Sequence, residues 1–213
     1  MTGLFVTFEG IEGSGKTTQI NMAAAYLESR RIPCLATSEP GGSNLGRTLR
    51  KLLLEKSGLR ISARSELLLF AADRAQHVEE IICPALQEGR VVLCDRFADA
   101  TTVYQGYGRG LDLDMIDRIN DFAAQSLRPG ITVLFDMSPE RGLDRVRRRD
   151  ADSPAGPDDR FEVEHIEFHR RVREGYLTLA EQDPQRFRVV DADRDIDAVF
   201  SDVVAVLEGV LGE

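Results

Sequence analysis

The chain has 213 residues, of which 42% are hydrophobic and 30% are charged, a composition typical of folded globular proteins that excludes an all-disordered chain. The length predicts one domain over residues 1–213, large enough to bury a core without a disulfide or a metal. Its 27 Lys and Arg residues against 36 Asp and Glu residues give a formal net charge of −9. This acidity argues against wrapping duplex DNA or coating an anionic membrane, so we expect neither nucleic acid nor membrane as a partner.

The N-terminal segment and the cysteines predict a cytoplasmic location. Residues 1–5 contain no basic region of the kind found in signal peptides, and the longest apolar runs, such as Leu67–Ala72, reach six residues. A membrane span would need about 18. Cys34, Cys83 and Cys94 are odd in number and form no CxxC pair, so we interpret them as small buried side chains in a reducing compartment.

Five short apolar segments alternate with helix-length stretches along the chain. Several are apolar at consecutive positions, which is typical of strands covered on both faces. The pattern predicts an α/β fold with a five-stranded parallel sheet and helices on both faces. The predicted strands are Leu4–Phe8, Pro33–Thr37, Val91–Cys94, Ile131–Phe135 and Phe187–Val190.

A glycine-rich loop of the form G-x-x-x-x-G-K-T follows the first predicted strand and precedes a helix. Its glycines let backbone N–H groups converge on phosphate oxygens, and the helix adds its positive N-terminal end. Lys16 would reach the β- and γ-phosphates and the Thr17 hydroxyl would coordinate Mg²⁺, so we predict a nucleoside triphosphate site. Its predicted residues are Gly10, Ile11, Glu12, Gly13, Ser14, Gly15, Lys16, Thr17 and Thr18.

The third predicted strand ends in an acid followed directly by an arginine. Asp95 could hold the metal's water shell or a substrate hydroxyl, and it is predicted both as a metal residue and as a substrate-binding residue. Arg96 could clamp phosphate oxygens in its planar fork. The alternative is a surface ion pair. The carboxyl end of a buried strand is where open α/β sheets bind ligands, which favours the functional interpretation.

An arginine-rich helix end and a polar loop predict a mobile lid at about residues 145–160. Residues 145–149 hold four arginines, and residues 150–159 hold two prolines, one glycine and four aspartates. Such a loop has almost nothing to bury.

Taken together in their order and spacing, five motifs resemble the bacterial thymidylate kinase family, from Phe5 to about Ala180. They are Gly10–Thr18, Glu39–Gly42, Asp95–Arg96, Tyr104–Gly106 and Asp159–Glu162. The resemblance implies a P-loop kinase fold, phosphorylation of dTMP to dTDP with ATP and Mg²⁺ for dTTP biosynthesis, and a homodimer. It also implies that Glu39 and Arg50 contact the acceptor nucleotide and that Glu12 holds its 3′-hydroxyl. For Arg50 the alternative is a solvent-facing helix charge.

The resemblance further implies that Phe70 stacks on thymine and that Arg74 hydrogen-bonds its O4. These two residues are four apart on one helix and so share a face. Helix geometry alone favours a different interpretation, with Phe70 in the core and Arg74 paired with a nearby carboxylate such as Glu66.

A second implied cluster for the base and sugar follows Asp95 and Arg96. Gln105 has a donor and an acceptor for the pyrimidine edge, and Tyr104 would crowd a ribose 2′-hydroxyl beside Thr101. The alternative is an ordinary amphipathic helix start. Phe97 and Ala100 depart from the family, which often has a polar residue at each position, and this leaves the preference between dTMP and dUMP open.

The phosphate loop contains no arginine, and the resemblance then implies that the lid supplies one. Arg149 and Arg160 lie nearest the loop and are predicted to be catalytic with Lys16 and Arg96, neutralising charge on the transferred group. The alternative is that an arginine-rich helix end is a solvated face that complements the helix dipole.

Three other functions compete with this interpretation. A deoxynucleoside kinase also places Asp-Arg after a strand, and another pyrimidine monophosphate kinase would share the phosphate loop. A GTPase-type switch would be a different class of protein, but the chain has no Asn-Lys-x-Asp motif for guanine.

Overall fold

The protein is described from a computed structural model that covers residues 3–54, 59–151, 161–162 and 164–212. Five parallel strands form one sheet, as the sequence predicted, and their order in it is β2-β3-β1-β4-β5. The strands are β1 (Phe5–Glu9), β2 (Cys34–Ser38), β3 (Val91–Asp95), β4 (Ile131–Asp136) and β5 (Phe187–Asp191).

Every strand extends one residue beyond its apolar run, and only for β3 was this last residue, Asp95, predicted. The backbone pairing continues for one further residue, because hydrogen bonding in a parallel ladder does not depend on side-chain polarity. These additional residues are all polar and lie along the carboxyl edge of the sheet: Glu9, Ser38, Asp95, Asp136 and Asp191.

The helices cover both faces of the sheet. They are α1 (Lys16–Ser29), α2 (Asn44–Leu54), α3 (Ala63–His77), α4 (Cys83–Gln87), α5 (Ala98–Thr101), α6 (Leu113–Ala123), α7 (Pro139–Ala151), α8 (Ile166–Gln182) and α9 (Ile196–Leu211). Two π-helical segments, Val78–Ile82 and Thr102–Gly108, join α3 to α4 and extend α5.

Side chains of β1 alternate between two parts of the core. Val6 and Phe8 pack on one face against α1 and α9, whereas Phe5 packs on the other face against residues 78–86. This is the two-residue period of a strand with both faces buried. The helices contribute residues spaced three or four apart, which form the apolar stripes expected of a covering helix. Those residues include Ile20, Ala23, Leu27, Val199, Val203 and Leu207.

The lid prediction falls partly outside the described residues. Residues 145–149 lie at the end of α7, as the predicted arginine-rich helix end, and residues 150 and 151, predicted as loop, are still part of this helix. Residues 152–160 are not described. No helix in the described ranges has the length and apolar character that a membrane crossing requires.

Candidate active site

The phosphate loop joins β1 to α1 at the carboxyl edge of the sheet, as predicted. Lys16 is buried, and its ammonium group donates to the carbonyl oxygens of Gly10 (3.0 Å) and Ile11 (2.8 Å) and to the Ser14 hydroxyl (3.3 Å). Burial and the nearby charge of Arg96 lower the pKa of Lys16 to about 8. A phosphate placed beside this amine would favour its charged form and relieve the burial cost.

The loop rests directly on helix α7. A Cβ atom added to Gly13, whose φ is +73°, would lie 2.1 Å from the carbonyl oxygen of Gly142. One added to Gly142 would lie 2.5 Å from the carbonyl oxygen of Glu12. Both separations are shorter than van der Waals contact allows, so this backbone approach requires glycine on each side.

Thr17 and Asp95, the two predicted metal residues, lie together. The Thr17 hydroxyl donates to Asp95 Oδ2 at 2.9 Å, which links the start of α1 to the end of β3. Hydroxyl and carboxylate oxygens are the hard ligands that Mg²⁺ prefers. The donor set therefore fits a magnesium ion held with the phosphates of a nucleotide.

Arg96 follows β3 in the left-handed region, with a φ of +68°. That conformation costs a non-glycine residue about 1–3 kcal/mol and is concentrated at functional sites. Its guanidinium donates to Glu12 Oε1 at 3.1 Å and to the Tyr176 hydroxyl at 3.3 Å, and lies 4.8 Å from the centre of the Tyr104 ring. The structure thus brings the predicted phosphate clamp onto the phosphate loop.

Glu12 is buried but surrounded by groups that favour its charge. The Tyr104 hydroxyl donates to Oε1, and Nδ1 of the buried His169 lies 3.2 Å from Oε2. Burial opposes ionisation, but hydrogen bonding to His169 and the charge of Arg96 outweigh it and hold the pKa of Glu12 at about 2. Glu12 is therefore a carboxylate at neutral pH.

Three residues near this cluster were missed by the sequence reasoning. Glu9 is fully buried and accepts hydrogen bonds from the Phe97 backbone N–H and from the Tyr176 hydroxyl, both at 2.7 Å. Burial and the Asp99 carboxylate raise its pKa to about 7. In the sequence, Glu9 could have been found as a single acidic residue directly after the apolar run of the first strand. His169 and Tyr176, on α8, gave no local signal.

Arg74 is the largest fully buried side chain among the described residues, and it lies at the centre of a polar cluster. Its Nε donates to Glu39 Oε2 at 3.0 Å, and its two Nη atoms donate to Asn120 Oδ1, the Phe97 carbonyl and the Thr101 hydroxyl at 2.7–3.1 Å. These bonds use four of the five N–H groups of the guanidinium.

The carboxylate that pairs with Arg74 is Glu39, whereas helix geometry suggested Glu66. Glu39 follows β2 and is 35 residues away in sequence, so only the tertiary fold brings it close. It also accepts from Nδ1 of His77 at 2.9 Å. The predicted substrate residues Glu39, Arg74 and Thr101 therefore form one connected network.

Glu66 instead contacts Gln105. Gln105 Nε2 donates to Glu66 Oε1 at 2.7 Å, and both residues are buried. Arg109 lies against the same carboxylate, with its Nε 3.3 Å from Oε1. Phe70 lies between Glu66 and Arg74 on α3 and is half-buried, with its ring centre 6.3 Å from that of Phe161.

Arg50 is exposed on α2 but is held against the loop that follows β2. Its Nη1 donates to the Pro40 carbonyl at 2.7 Å, and its side chain passes over Gly41. The Gly41 N–H donates to Asp73 Oδ1 at 3.2 Å. The loop that carries Glu39 is thus fixed to both α2 and α3.

Phe97, one of the two departures from the family pattern, belongs to the core. Its side chain is buried and packs edge-to-face on Phe5 at 5.0 Å, and the Arg74 guanidinium lies 5.2 Å from its ring centre. Its backbone N–H and carbonyl make the polar contacts to Glu9 and Arg74. Phe97 therefore contributes its ring to the core and its backbone to the polar cluster.

A cleft of about 550 Å³ opens beside the phosphate loop, between α1 and the loop after β5. Arg145 contributes to its wall and donates to the Ala192 carbonyl at 3.1 Å. Residues of the cleft include Ser14, Thr18, Gln19, Arg145, Ala192 and Asp197. Its volume lies in the range of small-molecule sites.

Arg149, the first predicted lid arginine, is held by an acid beyond the lid. Its Nη2 donates to Glu162 Oε1 at 2.7 Å, although the Arg149 side chain is 59% exposed. Arg160, the second, lies outside the described residues.

The parallel sheet carries a phosphate loop after its central strand, β1, and an acid-arginine pair at the end of the neighbouring strand, β3. Together with the cleft beside the loop, these features define a P-loop nucleotide kinase. The sequence model of the family "Thymidylate kinase" matches residues 8–203. The chain belongs to the thymidylate kinase family, as its motifs implied.

Relatives and a solved structure agree over almost the full length. The chain is 53% identical to the thymidylate kinase of Nitratidesulfovibrio vulgaris (strain Miyazaki F) over 98% of this chain and 97% of that protein. It is 51% identical to that of Pelobacter propionicus, over 95% and 93%. The crystal structure of thymidylate kinase from Ehrlichia chaffeensis superposes with a TM-score of 0.78 at 35% identity, covering 98% of this chain and all of the other.

Proposed function

We propose that this chain phosphorylates dTMP to dTDP with ATP as the donor. Family membership supports the reaction. The single observation that supports the site is the 3.1 Å pair of Arg96 with Glu12, because it places a guanidinium from β3 on the phosphate loop. Two anionic substrates can then meet at one edge of the sheet with cations between them.

The donor site comprises the phosphate loop and the cleft beside it. Backbone N–H groups of the loop and Lys16 would hold the triphosphate, and the cleft would take the adenosine. Mg²⁺, held by Thr17 and Asp95, would supply charge neutralisation at the donor phosphates.

The acceptor site comprises the networks around Arg74 and Glu12. Phe70 would stack on thymine, with Arg74, Thr101 and Gln105 along its edge. The acceptor's sugar and phosphate would contact a further set of residues: Glu12, Glu39, Arg50, Arg96 and Tyr104.

Transfer to a monophosphate needs no general base, because a phosphate oxygen is already ionised at neutral pH. The main obstacle is repulsion between two anions and the charge that develops on the moving phosphoryl group. Lys16, Arg96 and a lid arginine would neutralise this charge, so in-line transfer proceeds without a covalent enzyme intermediate.

An acceptor panel tests the reaction. Release of ADP with MgATP is measured with dTMP, dUMP, thymidine, CMP or AMP and without an acceptor. We expect the largest kcat/KM with dTMP. Preferential use of thymidine would instead identify a nucleoside kinase, and turnover independent of the acceptor would contradict the acceptor site.

Arg149 is proposed to act from the lid during transfer. Arg149→Ala should lower kcat, with little change in the Kd of dTMP, because the contact forms mainly in the transition state. Removing such an arginine costs up to about 10³–10⁵-fold in related phosphoryl-transfer enzymes. Arg160→Ala and the double variant are measured in parallel, and full activity in the double variant would contradict a lid arginine.

We also propose that the chain forms a homodimer through α2, α3 and α6. These helices lie side by side, and each exposes large apolar side chains, of which Phe122 is 87% exposed. An apolar surface of this kind marks an interaction site, and a second copy fits the homodimer implied by the family resemblance. The other large apolar side chains exposed on these three helices are Leu45, Leu52, Leu68, Leu113 and Met115.

Sedimentation tests the dimer. We expect wild-type protein to sediment as a dimer at micromolar concentration and Phe122→Glu to shift it toward monomer. Val189→Glu is the matched control, because Val189 is exposed on β5, away from these helices. A monomeric wild type, or equal shifts in both variants, would overturn the proposal.

A further inference from the structure

The buried hydrogen bond between Gln105 and Glu66 determines which end of the Gln105 amide is available. Nε2 of Gln105 lies 2.7 Å from Glu66 Oε1, and each residue is 1% exposed. A carboxylate has oxygen atoms alone and no N–H, so beside the cationic Arg109 it acts as an acceptor. The amide nitrogen of Gln105 must therefore face Glu66, and its carbonyl oxygen must lie on the other side.

Glu66 is itself held in place. Arg109 lies 3.3 Å from Oε1 of Glu66 and 2.6 Å from Glu164, and its guanidinium lies 4.7 Å from the centre of the Phe168 ring. Arg109 is thus fixed by its ion pairs and by a cation–π contact, so the Glu66 carboxylate that it contacts has little freedom to rotate.

The Gln105–Glu66 contact lies on the same face of α3 as two other residues predicted to bind the base. Glu66, Phe70 and Arg74 are spaced by four on α3 and so share one face of the helix. Glu66 meets Gln105 at 2.7 Å, and Arg74 meets Thr101 at 2.9 Å. Phe70 lies between these two hydrogen-bonded contacts, where an aromatic base would stack.

We propose that Glu66 is a positioning residue that orients Gln105 to accept, rather than donate, a hydrogen bond, and so selects pyrimidines that carry an N3–H group. This inference rests on the proposed function. Thymine and uracil have a proton on N3, whereas cytosine has a lone pair there. An acceptor facing N3 satisfies the first two bases and repels the third.

Glu66→Gln tests the inference with minimal change of shape. A glutamine at 66 can donate as well as accept, so the Gln105 amide is free to turn over. We expect the ratio of kcat/KM for dTMP to that for dCMP to fall at least about tenfold, since hydrogen-bond selection by a fixed acceptor is lost. The ratio for dTMP over dUMP should stay within about twofold, because both bases carry N3–H.

Glu164→Gln is the matched control. It makes the same chemical change in the same charge network, but on the far side of Arg109 from Gln105. The dTMP-to-dCMP ratio should not change. Equal losses for dTMP and dCMP in Glu66→Gln, or an equal fall of the ratio in both variants, would show a structural role alone and overturn the inference.

Wild-type protein supplies a second test, independent of whether Glu66→Gln folds. The side-chain amide protons of Gln105 should exchange slowly with solvent both with and without dTMP, because Glu66 holds them in either state. Slow exchange that appears only with dTMP would mean that the amide donates to the base, which overturns the inference. A wild type that does not use dTMP would overturn the proposed function and this inference together, whereas selectivity that persists in Glu66→Gln overturns the inference alone.

Discussion

Lys16→Ala is expected to lower kcat/KM for ATP by about 10²–10³-fold, the usual cost of removing one preorganised charge-stabilising donor. Lys16 is the cation of the phosphate loop, and its amine lies within 3.0 Å of two loop carbonyls. Lys51→Ala is the control, because Lys51 is exposed on α2 and should leave activity unchanged. Equal activity of both variants would contradict the assignment of Lys16.

The same residue predicts a pH dependence. The pKa of Lys16 is lowered to about 8, so the charged form that binds phosphate is present below that pH and is lost as the pH rises through it. We expect kcat/KM for ATP to fall above about pH 8. The fall of kcat should lie at higher pH, since bound phosphates favour the ammonium. In Lys16→Arg the fall near pH 8 should be absent, because arginine stays charged.

Arg74→Met is expected to lower the free energy of unfolding by about 3–5 kcal/mol, the range for breaking a buried ion pair by removing one partner. The side chains of Arg74 and Glu39 are 2% and 4% exposed, so Glu39 would lose its charged partner without gaining water. The substitution also leaves the Asn120 and Thr101 side chains without their donor. Urea unfolding measures the change.

Arg128→Met is the matched control for this measurement. Arg128 contacts Asp117 and Asp121 at 3.3–3.4 Å, but its side chain is 52% exposed, so the loss should stay below about 1 kcal/mol. If Arg74→Met also lowered the free energy of unfolding by less than about 1 kcal/mol, Arg74 would serve substrate binding rather than the stability of the core.

The sequence predicted the sheet and the phosphate loop because both depend on local pattern. Apolar runs define buried strands, and eight consecutive residues define the loop, so neither requires knowledge of the fold. The ends of four strands were missed by one residue each, because Glu9 and its counterparts are polar while their backbones remain in the ladder, whereas Asp95 was predicted to end β3.

The contacts within the site could not be predicted in the same way. Helix spacing places Glu66 near Phe70, but it cannot show that Arg74 turns toward Glu39 across the end of β2. His169 is 157 residues from Glu12, and its helix begins beyond the undescribed residues 152–160. Motifs identify which residue types gather at the site, whereas the pairs among them depend on how distant helices pack.

The contact between Gly13 and Gly142 has a consequence for mutational libraries built on this chain. The backbone opposite each glycine excludes a side chain there: a Cβ atom on Gly13 would lie 2.1 Å from the Gly142 carbonyl oxygen, and one on Gly142 would lie 2.5 Å from the Glu12 carbonyl oxygen. A single alanine at either position would therefore push α7 off the phosphate loop, whatever the merit of the new residue elsewhere. Because each clash is with backbone, no substitution at one position makes room for a side chain at the other, and a library that randomises either position would consist almost entirely of inactive proteins.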